Sequence, residues 1–110
     1  MLTSKKGDRN PKFHSKAVAA RLIKSIARSG SVRTTKHAVS RMVQRDISMQ
    51  DILYAFSNGH VIASPELDIR TNRWKYTITG NGIDVKEIKI TTDINAEENY
   101  LLIITVMRRG

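Results

Sequence analysis

The sequence predicts an α+β domain, with three N-terminal helices followed by a four-stranded, mainly antiparallel sheet. Two observations carry this. Apolar residues recur with a helical period up to Gly59 and with a period of two beyond it. The switch happens once, so helices and strands form separate blocks, which is the α+β arrangement. The chain has 110 residues, enough for one domain with one core, and 40% of them are hydrophobic.

Residues 1–12 are polar and basic, contain Gly7 and Pro11, and read as a flexible basic arm ahead of a single domain over 13–110. From Phe13 to Ser29, Val18, Ala19, Leu22, Ile23 and Ile26 share one helical face, and Gly30 is a natural stop. Residues Ser31 to Thr34 are short and extended. Thr35 is a good N-cap for a second helix reaching Arg45, with Ala38, Val39, Met42 and Val43 as its apolar face. Asp46-Ile47 turns the chain. Ser48-Met49-Gln50-Asp51 is a capping box that opens a third helix through Phe56, ended by Gly59. His60 to Ala63 makes a short strand closed by Pro65. Arg73 to Thr79 alternates, with Trp74, Tyr76 and Ile78 on the core side. Gly80-Asn81-Gly82 reads as a hairpin turn and Val85 to Thr92 as the returning strand. Asp93 to Asn99 reads as an acidic loop. Tyr100 to Met107 is a nearly continuous apolar run, suited to a central strand buried on both faces.

Charge narrows the function. Nineteen Lys and Arg face ten acids, for a net +9. Residues 1–36 hold ten of the cations and only Asp8 among the acids, whereas residues 37–110 balance nine against nine. A basic segment on a neutral body is the footprint of a polyanion-binding protein, with RNA favoured over DNA. A solubilising tail is the second reading, and docking onto an acidic protein partner the third. With no cysteine, disulfides and thiolate metal sites are excluded. No apolar run spans a bilayer and no signal peptide precedes the domain, so a cytoplasmic protein without a membrane partner is expected. The three histidines are widely separated, so no metal and no cofactor is expected.

Two stretches carry a resemblance. Thr35-x-His37-Ala38-x-x-Arg41-Met42-x-x-Arg45-x-Ile47-Ser48, then Ile52, Asn58-Gly59 and Val61-Ile62, then strands ending Leu102-Ile103-Ile104-Thr105-Val106, resemble a widespread uncharacterised bacterial domain family. Its members read T-x-H-A-x-x-R-M-x-x-R-x-I-S, then N-G-x-V-I, then an I-I-T-V strand. The family often places an aromatic residue and a proline after that strand, where this chain has Met107-Arg108-Arg109. Residues Ile23 to Val39 are also similar to the start of motility-quorum-sensing-regulator-type toxins. Both resemblances imply the RelE-like fold of the barnase-EndoU-colicin-RelE type. That fold is used mostly by metal-independent ribonucleases, often held inactive by an antitoxin or immunity protein.

Cutting RNA without metal needs a base for the ribose 2′-OH, an acid for the 5′-oxygen and cations for the phosphorane. His37, Arg41 and Arg45 fall at i, i+4 and i+8, which puts an imidazole and two phosphate forks on one helical face. Their ordinary reading is a locally packed histidine and a solvated basic face. Lys75 and Arg108 complete the candidate catalytic set. Arg21, Lys24, Arg28, Arg33, Lys36, Arg73, Lys86 and Lys89 are the candidate RNA contacts, each also readable as a solvated surface charge. The expectation is a bacterial toxin–antitoxin endoribonuclease cutting mRNA or tRNA, with an antitoxin or immunity protein and the ribosome as further partners. The alternative is a non-catalytic RNA- or ribosome-binding module or a protein-interaction domain.

Overall fold

The computed structural model describes residues 12–109, so the arm predicted over 1–12 falls, except for Lys12, outside the described residues. Helix α1 (Lys16–Ser29) is followed by strand β1 (Ser31–Thr34), helix α2 (Lys36–Arg45) and helix α3 (Met49–Asn58). Strands β2 (His60–Val61), β3 (Glu66–Asp68), β4 (Arg73–Gly80), β5 (Ile88–Asn95) and β6 (Tyr100–Arg108) complete the chain. Helices α2 and α3 start where the sequence places caps, whereas α1 starts at Lys16, three residues after the Phe13 expected. Ser15, Thr35 and Ser48 each accept a bond from a first-turn N–H, and Ser48 and Asp51 form a full capping box.

The sheet has six strands rather than the four expected. Their order is β1-β6-β5-β4-β2, with β3 also on β4. The two extra strands are short. The extended segment Ser31–Thr34 pairs in parallel with Tyr100–Ile103, and Glu66–Asp68 pairs antiparallel with Arg73–Lys75. Neither carries a local signal strong enough to mark a strand, because each is held by a partner distant in sequence.

Three further expectations are corrected. β6 lies inside the sheet between β1 and β5, but only one of its faces is fully buried: Leu101, Ile103 and Val106 are in the core, whereas Leu102 and Ile104 are half-exposed. Gly80-Asn81-Gly82 is not a tight hairpin, because β5 begins at Ile88 and residues 81–87 form a longer loop. Asp51 holds that loop: its Oδ1 accepts from the backbone N–H groups of Ile83 (2.8 Å) and Asp84 (3.0 Å). A Cβ on Gly82 would lie 2.8 Å from that same carboxylate oxygen. Asp93 is not in a loop, since β5 runs on to Asn95 and its Asp93 is buried in the sheet.

Helices α1 and α3 cover one face of the sheet. Ala19, Ile23 and Ile26 of α1 and Ile52, Ala55 and Phe56 of α3 meet Tyr76, Ile78, Ile88, Ile90, Leu101, Ile103 and Val106. The other face, carrying Arg33, Arg73, Lys75, Thr77, Thr91, Lys89 and Thr105 by register, is open. Before α1, Phe13 packs edge-on to Trp74 (5.0 Å), and the His14 N–H donates to the Tyr76 phenol oxygen (2.9 Å).

Candidate functional site

Helix α2 lies along the edge of β6. β1 pairs that edge only as far as Ile103, and α2 closes the remainder with side chains. The Thr35 N–H donates to Ile103 O (3.0 Å), and its hydroxyl donates to Ile104 O (3.2 Å) while accepting from Ala38 N (3.0 Å). Ile104 is the extra residue of a bulge opposite Thr91 and Thr92. Arg45 Nη1 donates to Val106 O (2.9 Å), and Arg108 Nη1 returns to Arg45 O (2.9 Å). Thr35 and Arg45 of the signature therefore fasten the helix, and Arg108 caps its C-terminal end.

The same helix has two flanks. Val39, Met42 and Val43 turn toward Thr34, Ile47 and Met49, on the side of the helical layer. Helical geometry puts His37, Arg41 and Gln44 on the opposite flank, the side of the open sheet face. There Arg41 Nε donates to His37 Nε2 (3.4 Å), and its Nη1 donates to Gln44 Oε1 (2.7 Å). His37 is exposed and Arg41 half-buried. Among the described residues Arg41 has no acidic partner. Arg33, two residues before α2 begins its cap, stacks its guanidinium 3.8 Å from the Tyr100 ring centroid on the same sheet face.

The β4 end of the open face differs. Arg73 is ion-paired with Asp93, and Asp68 stands opposite it on β3. The hydrogen bond that Arg73 donates to the Asp93 carboxylate holds the guanidinium protonated above its ordinary range, against the opposing effect of burial. Lys75 sits in register between Glu66 and Asp93. The sheet face expected to be basic is thus electrically matched here. Sequence reasoning missed these acids. Their only trace was the Glu66-Leu67-Asp68 alternation, whose register against β4 cannot be read locally.

At the far end of the sheet, Thr79, Glu87, Lys89, Met107, Arg108 and Arg109 line a hollow of about 320 Å³. Arg109 grips Glu87 at 2.8 and 3.2 Å. His60 lines an adjoining hollow that shares Thr79 and Glu87, a grouping its position in the sequence did not suggest. Lys86 is exposed in the 81–87 loop.

The candidates therefore separate into groups. His37 and Arg41 are together. Arg45 and Arg108 join through the backbone of α2. Lys89 and Arg108 share a hollow. Arg21, Lys24 and Arg28 project from α1, on the side of the sheet away from the open face, with Arg21 and Arg28 exposed and Lys24 half-buried. Lys36 is exposed at the start of α2. No helix among the described residues is long and apolar enough to cross a membrane.

Comparison with known proteins finds no match among curated proteins or solved structures. A family model does match, over residues 34–108, the span from the last residue of β1 to the last of β6. It is described as a domain of unknown function, DUF4258. The match takes in the fastening residues Thr35 and Arg45, the His37–Arg41 pair and the bulged strand they rest on, and the chain belongs to the DUF4258 family.

Proposed function

We propose that this domain is a metal-independent endoribonuclease of the toxin type, with a RelE-like fold, acting on mRNA or tRNA in the cytoplasm. The observation that carries the reading is the His37–Arg41 contact, an imidazole and a guanidinium on an exposed flank with no acid bonded to either among the described residues. His37 takes the proton of the ribose 2′-OH. The 2′-oxygen attacks phosphorus, the 5′-oxygen leaves and takes up a proton, and the products are a 2′,3′-cyclic phosphate and a 5′-hydroxyl. Arg41 offers its fork to the phosphorane oxygens. Arg45 and Arg108 act through the placement of α2, to which both are bonded. Lys75, among acids, contributes less than its charge implies. An antitoxin or immunity protein and the ribosome are the partners this reading brings with it.

The test is incubation of the purified protein with RNA in EDTA. Cleavage is expected, with loss of about 10²–10⁴-fold on His37→Ala, the usual contribution of a general acid–base group. Equal cutting by both proteins removes His37 from the mechanism. A second reading, RNA or ribosome binding without catalysis, is favoured by the openness around His37, where Arg41 is the one described side chain bonded to it. It predicts salt-sensitive binding with the RNA recovered intact.

A further inference from the structure

The helical side of the molecule carries a band of surface that the His37 flank does not use. Val39 and Val43 of α2 are 47% and 77% exposed. With Met42, Ile47 and Met49 they line a hollow of about 390 Å³. Leu53 lies one turn along α3 from Met49, about 6 Å at 1.5 Å per residue. With Ser57 of α3 and Lys24, Ala27 and Arg28 of α1, it lines a second hollow of about 220 Å³. Arg21 lies on the outward side of α1 beside Lys24 and Arg28, and Lys36 is on the Val43 stripe of α2. Asp46 is the acid lining the first hollow, and the second hollow has none. None of the four cations has an ion-pair partner among the described residues.

We propose that this band docks an acidic, amphipathic segment of a partner protein, which sets apolar side chains into the two hollows and carboxylates against Lys24, Arg28 and Lys36. Aliphatic hollows gain from apolar side chains, at about 25 cal/mol per Å² removed from water. RNA would satisfy the cations but would leave Val43 and Leu53 with nothing to bury, since single strands dock on aromatic faces. A second copy of the chain would bring like charge to like charge. A membrane surface is met by protruding apolar anchors, whereas here the apolar residues line recesses. Two hollows whose linings include Met49 and Leu53, one turn apart on α3, suit a helix presenting residues at i, i+4 and i+7. The band is on the other flank of α2 from His37, so a partner seated here leaves the His37–Arg41 flank uncovered. The proposal stands whether or not the domain cuts RNA.

The test uses the full chain and a fluorescent helical peptide with leucine at i, i+4 and i+7 and glutamate elsewhere. Its controls are the same peptide with serine for leucine, oligouridine RNA, and vesicles containing phosphatidylserine. The leucine peptide binds, and the serine peptide does not. Val43→Asp and Leu53→Asp each weaken the leucine peptide about tenfold, a typical loss at an anchoring position. The double variant Lys24→Glu, Arg28→Glu does the same and removes the salt dependence. Both aspartate sites are exposed, so thermal melts stay near the parent value, and the charge reversal is a second check on the exterior of α1. The proposal is overturned by failure of the leucine peptide to bind, or by binding indifferent to Val43→Asp and Leu53→Asp. It is equally overturned if oligouridine or the vesicles, rather than the peptide, lose affinity on these changes.

Discussion

At the β4 end of the sheet, Arg73 and Lys75 stand among Glu66, Asp68 and Asp93, whereas on α2 Arg41 stands beside His37 with no ion-pair partner among the described residues. Both regions are rich in cations. In one, strand register brings an acid to each cation. In the other, the nearest polar neighbours are an imidazole and an amide. The charge a ligand meets is set by which residues the fold makes neighbours, and counting Lys and Arg does not reveal it.

The largest effect separating the two regions is on RNA cleavage. His37→Ala and Arg41→Ala are expected to lower it by about 10²–10⁴-fold and about 10²-fold respectively, with unfolding free energy changed by less than about 0.5 kcal/mol. An equal loss from Arg73→Ala, measured in the same assay, breaks the contrast.

Next in size is Asp51, an acid matched to backbone rather than to a cation. Burial works against its ionisation, but N–H groups of Asp84, Ser48 and Ile83 and the Ser48 hydroxyl outweigh it and set its pKa below the ordinary 3.8. Asp51→Ala removes the capping box and the anchor of the 81–87 loop together, a loss of about 2–3 kcal/mol in denaturant unfolding. Because the folded pKa is depressed, this stabilisation is complete above the ordinary carboxylate range and is lost as pH falls through the folded value. Asp51→Asn flattens that acid limb, and an unchanged limb rules Asp51 out as its source.

Smaller again is Arg45→Ala, which strands the Val106 carbonyl. It costs about 1–2 kcal/mol, seen as a lower Tm, while Arg41→Ala on the same helix leaves Tm nearly unchanged. A reversed order would exchange the roles given to the two arginines. The smallest effect is Lys75→Ala, expected within about 0.5 kcal/mol of the parent in stability and nearly silent in RNA retention on a salt gradient. Asp93→Asn, which releases Arg73, strengthens that retention.

The helices were legible because their signals are local: Thr35 as a cap, Ser48 with Asp51 as a box, Gly30 and Gly59 as stops; the cap of α1 at Ser15 was missed, and the helical period places that start at Phe13. β4 followed from alternation, part of β5 from the turn before it, and most of β6 from its nearly continuous apolar run. Ser31–Thr34 reads as extended, but its pairing with Tyr100–Ile103 was not legible, and β3 was missed, since its three residues gain strand character only from Arg73–Lys75. Gly80-Asn81-Gly82 misled because a turn signal fixes where a chain bends, not how far the loop runs before Ile88 pairs. At the candidate site, i, i+4 spacing brought His37 to Arg41. Nothing in that spacing separated Arg41 from Arg45, because the carbonyl that holds Arg45 lies 61 residues away.

The two outer borders of the sheet have a consequence for self-association. β6 is bordered by β1 for half its length and by Thr35 and Arg45 for the rest, and β4 by β3 and β2 in turn. The outermost strands β1, β2 and β3 are only four, two and three residues long, so among the described residues neither border offers a long run of unpaired peptide groups on which another chain could build. A protein with Thr35→Val and Arg45→Ala together would bare the carbonyls of Ile104 and Val106. Its first symptom in concentrated solution would be fibrils or precipitate, appearing while most molecules are still folded.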